Sequence, residues 1–192
     1  MTAKILPILI QKTKSIKHKS KIIHFNCLFI LSQIVCTTPV AALGDRMRVM
    51  ELTGLLVNGL SIYLPFISKE KDQLDQTELV SFFNAAVVGI MRNLSYLSLE
   101  QIGGISRLER LVEVLVLVIV TGSVVSSDII NFIPCLITTL QGLQLIAKKF
   151  PSNTFQPATK DMVVDNCRIA LDHPSHYVRQ GGVRVRNVWA LL

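Results

Sequence analysis

Charge is scarce in this chain: Asp, Glu, Lys and Arg make up 17% of its 192 residues, while half are apolar. That is rich in hydrophobic residues for a soluble globule. The compact signatures of catalysis are missing too. No GxSxG, HExxH, P-loop or glycine-rich nucleotide turn occurs, which leaves nucleophilic hydrolysis, zinc proteolysis and phosphate handling without their usual machinery. The histidines, His18, His24, His173 and His176, fall by pattern in loops or on helix surfaces. The expectation is a non-enzymatic protein without a cofactor.

Cysteine is sparse as well. Cys27, Cys36, Cys135 and Cys167 lie far apart with no CxxC, which speaks against a dense disulfide framework and fits a reducing compartment. Cys167 with His173 and His176, or His24 with Cys27, reaches no fourth ligand at zinc spacing, so no metal site is expected. A buried free thiol is a common core residue.

Acidic residues are nearly absent from one region. Residues 1 to 48 hold eight Lys or Arg against the single acid Asp45, whereas residues 49 to 192 hold twelve of each sign. The basic cluster Lys12, Lys14, Lys17, Lys19 and Lys21 reads first as a solvated connection between two helical segments. No aromatics alternate with these lysines, so the stacking that strand binding adds to phosphate contacts is lacking, and direct nucleic-acid binding is not expected.

Two long apolar runs raise a membrane alternative. Residues 114 to 127 and 129 to 147 are interrupted only by Asp128. The first is too short for the ~20 residues a span needs, and Gly122 to Ser127 reads as a break between helices. The second carries Asn131, Pro134, Thr138, Thr139, Gln141 and Gln144, a poor surface for lipid. A secretory leader is weighed for the lysine-rich start and the run Ile22 to Cys36, but two amphipathic helices account for that region better.

What is present is helical periodicity. Apolar residues recur at helical spacing over Ala3 to Thr13 and His18 to Cys36, from Asp45 to Pro65, and most clearly from Leu79 through Phe82, Phe83, Ala86, Val87, Ile90 and Leu94. Ser68 to Thr77 is the loop before that last helix. Ile105 to Val120 and Ile130 to Lys149 form another pair, with Pro134 in a first turn where its missing N–H costs nothing. The closing pair runs from Gln156-Pro157 to Leu171, turns at Asp172-His173-Pro174, and ends at Trp189. In it Val178, Gly182, Val185 and Trp189 make one stripe, and Asp172 is placed to cap the second helix.

Short antiparallel helix pairs need neighbours to bury both faces, so the pattern predicts an all-α fold, an α-solenoid of about four HEAT- or armadillo-like hairpins. The approximate repeats are residues 1–40, 41–100, 101–151 and 152–192, one array read as the C-terminal part of a longer solenoid. Arg179, Arg184, Arg186 and Trp189 are the candidate partner-binding residues, since Arg and Trp are favoured interface anchors. Asp172 and Arg179 are also read as ties from the turn to neighbouring repeats. No polar face is expected to cover the array at its last helix.

The segment LDHPSHYVRQGGVRVRNVWALL resembles the C-terminal repeat of the HEAT scaffold of cytosolic iron-sulfur protein assembly, the methyl-methanesulfonate-sensitivity and nucleotide-excision-repair family. The shared skeleton is Asp172, Pro174, Val178-Arg179, Val183, Arg186 and Trp189. ILPILIQKTKSIKHKSKIIHFNCLFILSQIV at the start is similar to an earlier repeat of the same domain, while residues 62 to 155 match only in helical rhythm. The resemblance implies a scaffold that docks a small assembly factor paired with a WD40 propeller. It also implies iron-sulfur clients such as DNA helicases and polymerases, in cytoplasm and nucleus, with proximity as the mechanism. A generic HEAT scaffold in another assembly, and a small membrane protein, are the alternatives. Gly181-Gly182 departs from the family's helix formers, at about 1 kcal/mol per glycine in an exposed helix interior.

Overall fold

A computed structural model describes residues 2–16, 20–67, 75–125 and 130–192. Among these every regular element is helical. Two compact units emerge, Met1–Gln101 and Ile102–Leu192.

The first unit contains α1 (Thr2–Ile16), α2 (Lys21–Thr37), α3 (Arg46–Tyr63) and α4 (Gln76–Tyr96). Side chains placed to accept from orphan amides fix three of the starts. Ser20 accepts from Ile23 N at 3.4 Å, Asp45 from Arg48 N at 2.9 Å and Asp75 from Thr77 N at 2.8 Å. The hairpin α1–α2 stacks on the hairpin α3–α4, with α2 lying against both α3 and α4. Their shared core is aromatic. Phe25 meets Tyr63 edge-on at 5.1 Å and Phe82 at 5.7 Å, and Phe82 meets Phe83 at 5.4 Å, geometries that suit the ring quadrupoles. Arg92 adds a polar tie by donating to the Cys36 carbonyl, and Lys14 pairs with Glu51.

His24 is buried in this unit and is not the surface residue its position suggested. Its Nδ1 lies 2.8 Å from Tyr63 Oη, which in turn donates to the Lys21 carbonyl at 3.1 Å. With the phenol hydrogen engaged there, Nδ1 is the donor of the pair. Burial pushes the Tyr63 phenol up to about 12.

A single turn, α5 (Leu99–Ile102), and the glycines Gly103 and Gly104, at φ +98° and +88°, lead to α6. That left-handed backbone favours glycine.

The second unit holds α6 (Ile105–Val125), α7 (Ile133–Lys149), α8 (Pro157–Leu171) and α9 (His176–Ala190). Here the hairpins α6–α7 and α8–α9 stack first helix on first and second on second: α6 lies on α8 and α7 on α9. Leu108, Val112, Leu115, Leu136, Leu140 and Leu143 form an aliphatic core with no measurable or almost no exposure. Pro134 occupies the first turn of α7, as its chemistry requires.

The break expected at Gly122 is not there, because α6 continues to Val125. Gly122 is a contact point. A Cβ on it would stand 2.2 Å from Phe132 Cε1 and 2.8 Å from Leu136 Cδ2, so glycine lets the aromatic ring seat against the α6 backbone. The rest of the expected break, Ser126 to Ser127, lies outside the described residues, as do Lys17, His18, Lys19 and most of the loop expected over Ser68 to Thr77.

One helical stretch among the described residues, Arg46–Phe66, is long and apolar enough to cross a membrane by length and composition. The core helix of a packed unit passes the same test. Leu52, Leu56 and Leu60 on it are fully buried within the first unit.

Candidate partner-binding surface

The α8–α9 hairpin carries every residue singled out as a candidate site, and its own chain positions it. Pro157 starts α8 without a side-chain cap from Gln156. The cap comes from the preceding hairpin: Glu109 on α6 accepts from Gln156 N at 3.0 Å and from Thr159 Oγ1 at 2.9 Å. A carboxylate there also opposes the positive end of the helix dipole.

Asp172 does not cap α9. It is exposed and closes α8 at φ −92° and ψ 2°, while Ser175 precedes α9 and makes no side-chain cap of its own. The turn is held by other groups. His173 is buried, and its Nδ1 accepts from Ser175 N at 3.0 Å. Arg179 Nη1 donates to the carbonyls of His173 at 2.8 Å and Pro174 at 2.7 Å. These ties close the hairpin on itself and do not reach from the turn to a neighbour as the sequence suggested. Burial, with Arg179 beside it, lowers the His173 pKa below its ordinary 6.5. A ring nitrogen that accepts an amide hydrogen is unprotonated, so the turn is built around neutral imidazole.

The stripe on α9 is as expected. Val178, Gly182, Val185 and Trp189 are buried. The indole Nε1 donates to Leu143 O on α7 at 3.0 Å, and the ring lies 4.9 Å from Phe155. Trp189 is therefore core, with 1% exposure, and offers no anchor to a partner. The hydrophobic ring packs where it excludes most water, and its one polar atom finds a carbonyl.

Val183 is 47% exposed, so the core position belongs to Gly182 beside it. The Gly181-Gly182 pair is explained by approach. A Cβ at 181 would meet Leu140 Cδ1 at 2.9 Å, and one at 182 would meet Ala170 Cβ at 3.0 Å. Two adjacent glycines let α9 come close to α7 and α8 at once.

Arg184 and Arg186 are exposed, Arg179 half-buried and Pro174 exposed in the turn. The two exposed arginines do not share a face, because two positions along a helix turn the direction by about 200°. Arg186 shares its side with Arg179 and Val183. Arg184 shares its side with Tyr177, 69% exposed, and Leu191, 87% exposed. Sequence reasoning passed over Tyr177, although its seven-residue step to Arg184 was legible as one line along the helix. Lys148 is exposed on α7, and neither α7 nor α9 contains an acid. This surface offers cations, a phenol and a leucine side chain, the materials of recognition.

The thiols do not extend that chemistry. Cys135 and Cys167 are buried, and burial pushes both up to about 12, so both stay protonated. Among the described residues no three of His, Cys, Asp and Glu converge to hold a metal ion.

No protein-family model, no curated protein and no solved structure matches this chain.

Proposed function

We propose that the chain is a non-enzymatic scaffold of HEAT-type helical hairpins that works in cytosolic iron-sulfur protein assembly. Its partners would be the small assembly factor with its WD40 propeller and apoprotein clients of DNA repair and replication, in cytoplasm and nucleus. The observation that carries the scaffold reading is the packing of the second unit, where like helices of successive hairpins meet, α6 on α8 and α7 on α9. That order can be extended indefinitely and is how helical repeats share a core. The specific assignment rests on the sequence resemblance of residues 171–192, with Arg184 and Arg186 on the surface to make contact. The scaffold would act by holding donor and client together, which raises effective concentration and asks no chemistry of its side chains.

The test is capture of the purified assembly factor and propeller by the purified chain. Wild type is expected to retain both. Arg184→Glu and Arg186→Glu are expected to weaken retention with helicity unchanged by circular dichroism. Failure of the wild-type chain to capture either protein overturns the iron-sulfur assignment. The scaffold reading fails separately if α6–α7 and α8–α9 can be melted independently.

A further inference from the structure

Charge in the second unit is sorted by helix. The first helix of each hairpin mixes signs, with two arginines and two glutamates on α6 and a lysine, an arginine and two aspartates on α8. The second helices carry cations and no acid, Lys148 and Lys149 on α7 and Arg179, Arg184 and Arg186 on α9. Three of these are taken up elsewhere. Lys149 lies 5.8 Å from the centre of the Phe150 ring, Arg179 clasps its own turn, and Arg186, one turn beyond Gly182, looks toward α8. Lys148 and Arg184 are exposed, and among the described residues neither forms an ion pair or a hydrogen bond.

These two flank one seam. α7 and α9 run in the same direction, with Leu140 against Gly181 and, further along both, the Leu143 carbonyl on the Trp189 indole. At about 100° per residue, Lys148 sits about 80° round α7 from Leu140 and Arg184 about 60° round α9 from Gly181, each away from the buried Leu143 and Val185. Both therefore stand on the solvent side of the seam, where Tyr177 is exposed and Ile137 and Val188 are half-buried.

We propose that the partner protein held on the α7–α9 face presents an acidic segment, whose carboxylates meet Lys148 and Arg184 while an apolar side chain covers Tyr177, Ile137 and Val188. The inference rests on the scaffold reading for there being a partner and adds the partner's chemistry. Complementary charge sets the register of such a contact, and a guanidinium holds a carboxylate through two parallel hydrogen bonds. The one-sided charge disfavours a second copy, because a symmetric dimer brings cation against cation. Nucleic acid fits less well. Strong phosphate binding draws on roughly 6–10 contacts, whereas two unpaired cations stand here beside half-buried aliphatic surface.

The full chain is titrated with a peptide of leucines and glutamates, with the same peptide carrying lysines in place of the glutamates, and with oligothymidylate. The glutamate peptide is expected to bind about tenfold more tightly than the lysine peptide, with a preference that shrinks as salt rises. Lys148→Glu and Arg184→Glu, both at exposed positions, are each expected to weaken that binding about tenfold, while Arg168→Glu, the same change of charge on α8, leaves it unaltered. Equal binding of the two peptides, or none, overturns the proposal. So does an equal loss in Arg168→Glu, or tighter binding of oligothymidylate, which assigns the face to nucleic acid. Added to the capture experiment above, the glutamate peptide is expected to displace the assembly factor. Capture that persists overturns the acidic segment and leaves the scaffold reading standing, whereas peptide binding without any capture supports the acidic segment and removes the iron-sulfur assignment.

Discussion

The hairpins α1–α2 and α8–α9 have the same secondary structure and carry opposite chemistry on the side turned from the other hairpin of their own unit. Away from α3 and α4, α1–α2 shows isoleucines and lysine. Away from α6 and α7, α8–α9 shows Asp161, Arg168, Arg179 and Arg186, with Val164 and Val183 between them. Mixed charge needs no cover, and Arg168 pairs with Asp165 at 3.5 Å. The expectation that the last helix pair would lack a polar face was therefore wrong. A helix pair is amphipathic in more than one direction, and a reading that tracks only the inward stripe does not see the third side. The second hairpin also carries its own fastenings, the Arg179 clasp on the turn and the Trp189 bond to α7, so its stability resides within its unit.

The largest test of that contrast is Trp189→Ala, which removes a buried indole together with its hydrogen bond to the Leu143 carbonyl. A loss of about 3–5 kcal/mol is expected by chemical denaturation. An unchanged midpoint would show that α9 does not depend on the indole.

Gly122→Ala comes next. Its new methyl meets the Phe132 ring, and about 1–3 kcal/mol should be lost. Gly54→Ala, in α3 with nothing within 4 Å of the added atom, should instead gain up to about 1 kcal/mol from helix propensity. Opposite signs at two helical glycines, read from paired melts, would separate contact from propensity. Arg179→Met follows, with about 1 kcal/mol expected from the two lost carbonyl bonds at a partly exposed site.

The pH response is smaller. His173 has a lowered pKa in the folded chain, so the unfolded chain takes up the proton first. Stability is therefore full above the ordinary value of 6.5 and declines as pH falls through the window below it. His173→Gln should flatten that part of a melting-temperature profile. The smallest effect is expected at Ile23→Lys, within about 0.5 kcal/mol of wild type because the side chain is half exposed. A large loss there would mean that the α1–α2 strip is already covered.

Much of this architecture was legible in the residues. The stripe from Leu79 to Leu94 is buried on α4, the α9 stripe is buried at all four positions, and Pro134 opens α7. Each depends on neighbours within a turn or two along the chain, where periodicity and capping act. The errors share a different cause. Gly122 looked like a break because glycine has the same sequence signature whether it ends a helix or admits a ring. His24 looked exposed because Tyr63, which satisfies it, is 39 residues away. Trp189 looked like an anchor because a tryptophan suits an interface and a core equally well.

By itself the sequence determined that the chain is helical, where most helices start, and that its positive charge gathers at one end, since these follow from local periodicity and composition. Only the tertiary structure decided which hairpin faces are covered, which glycines are contact points, and how the turn before α9 is tied. Those outcomes depend on distances between residues far apart in the chain, and no local pattern encodes them.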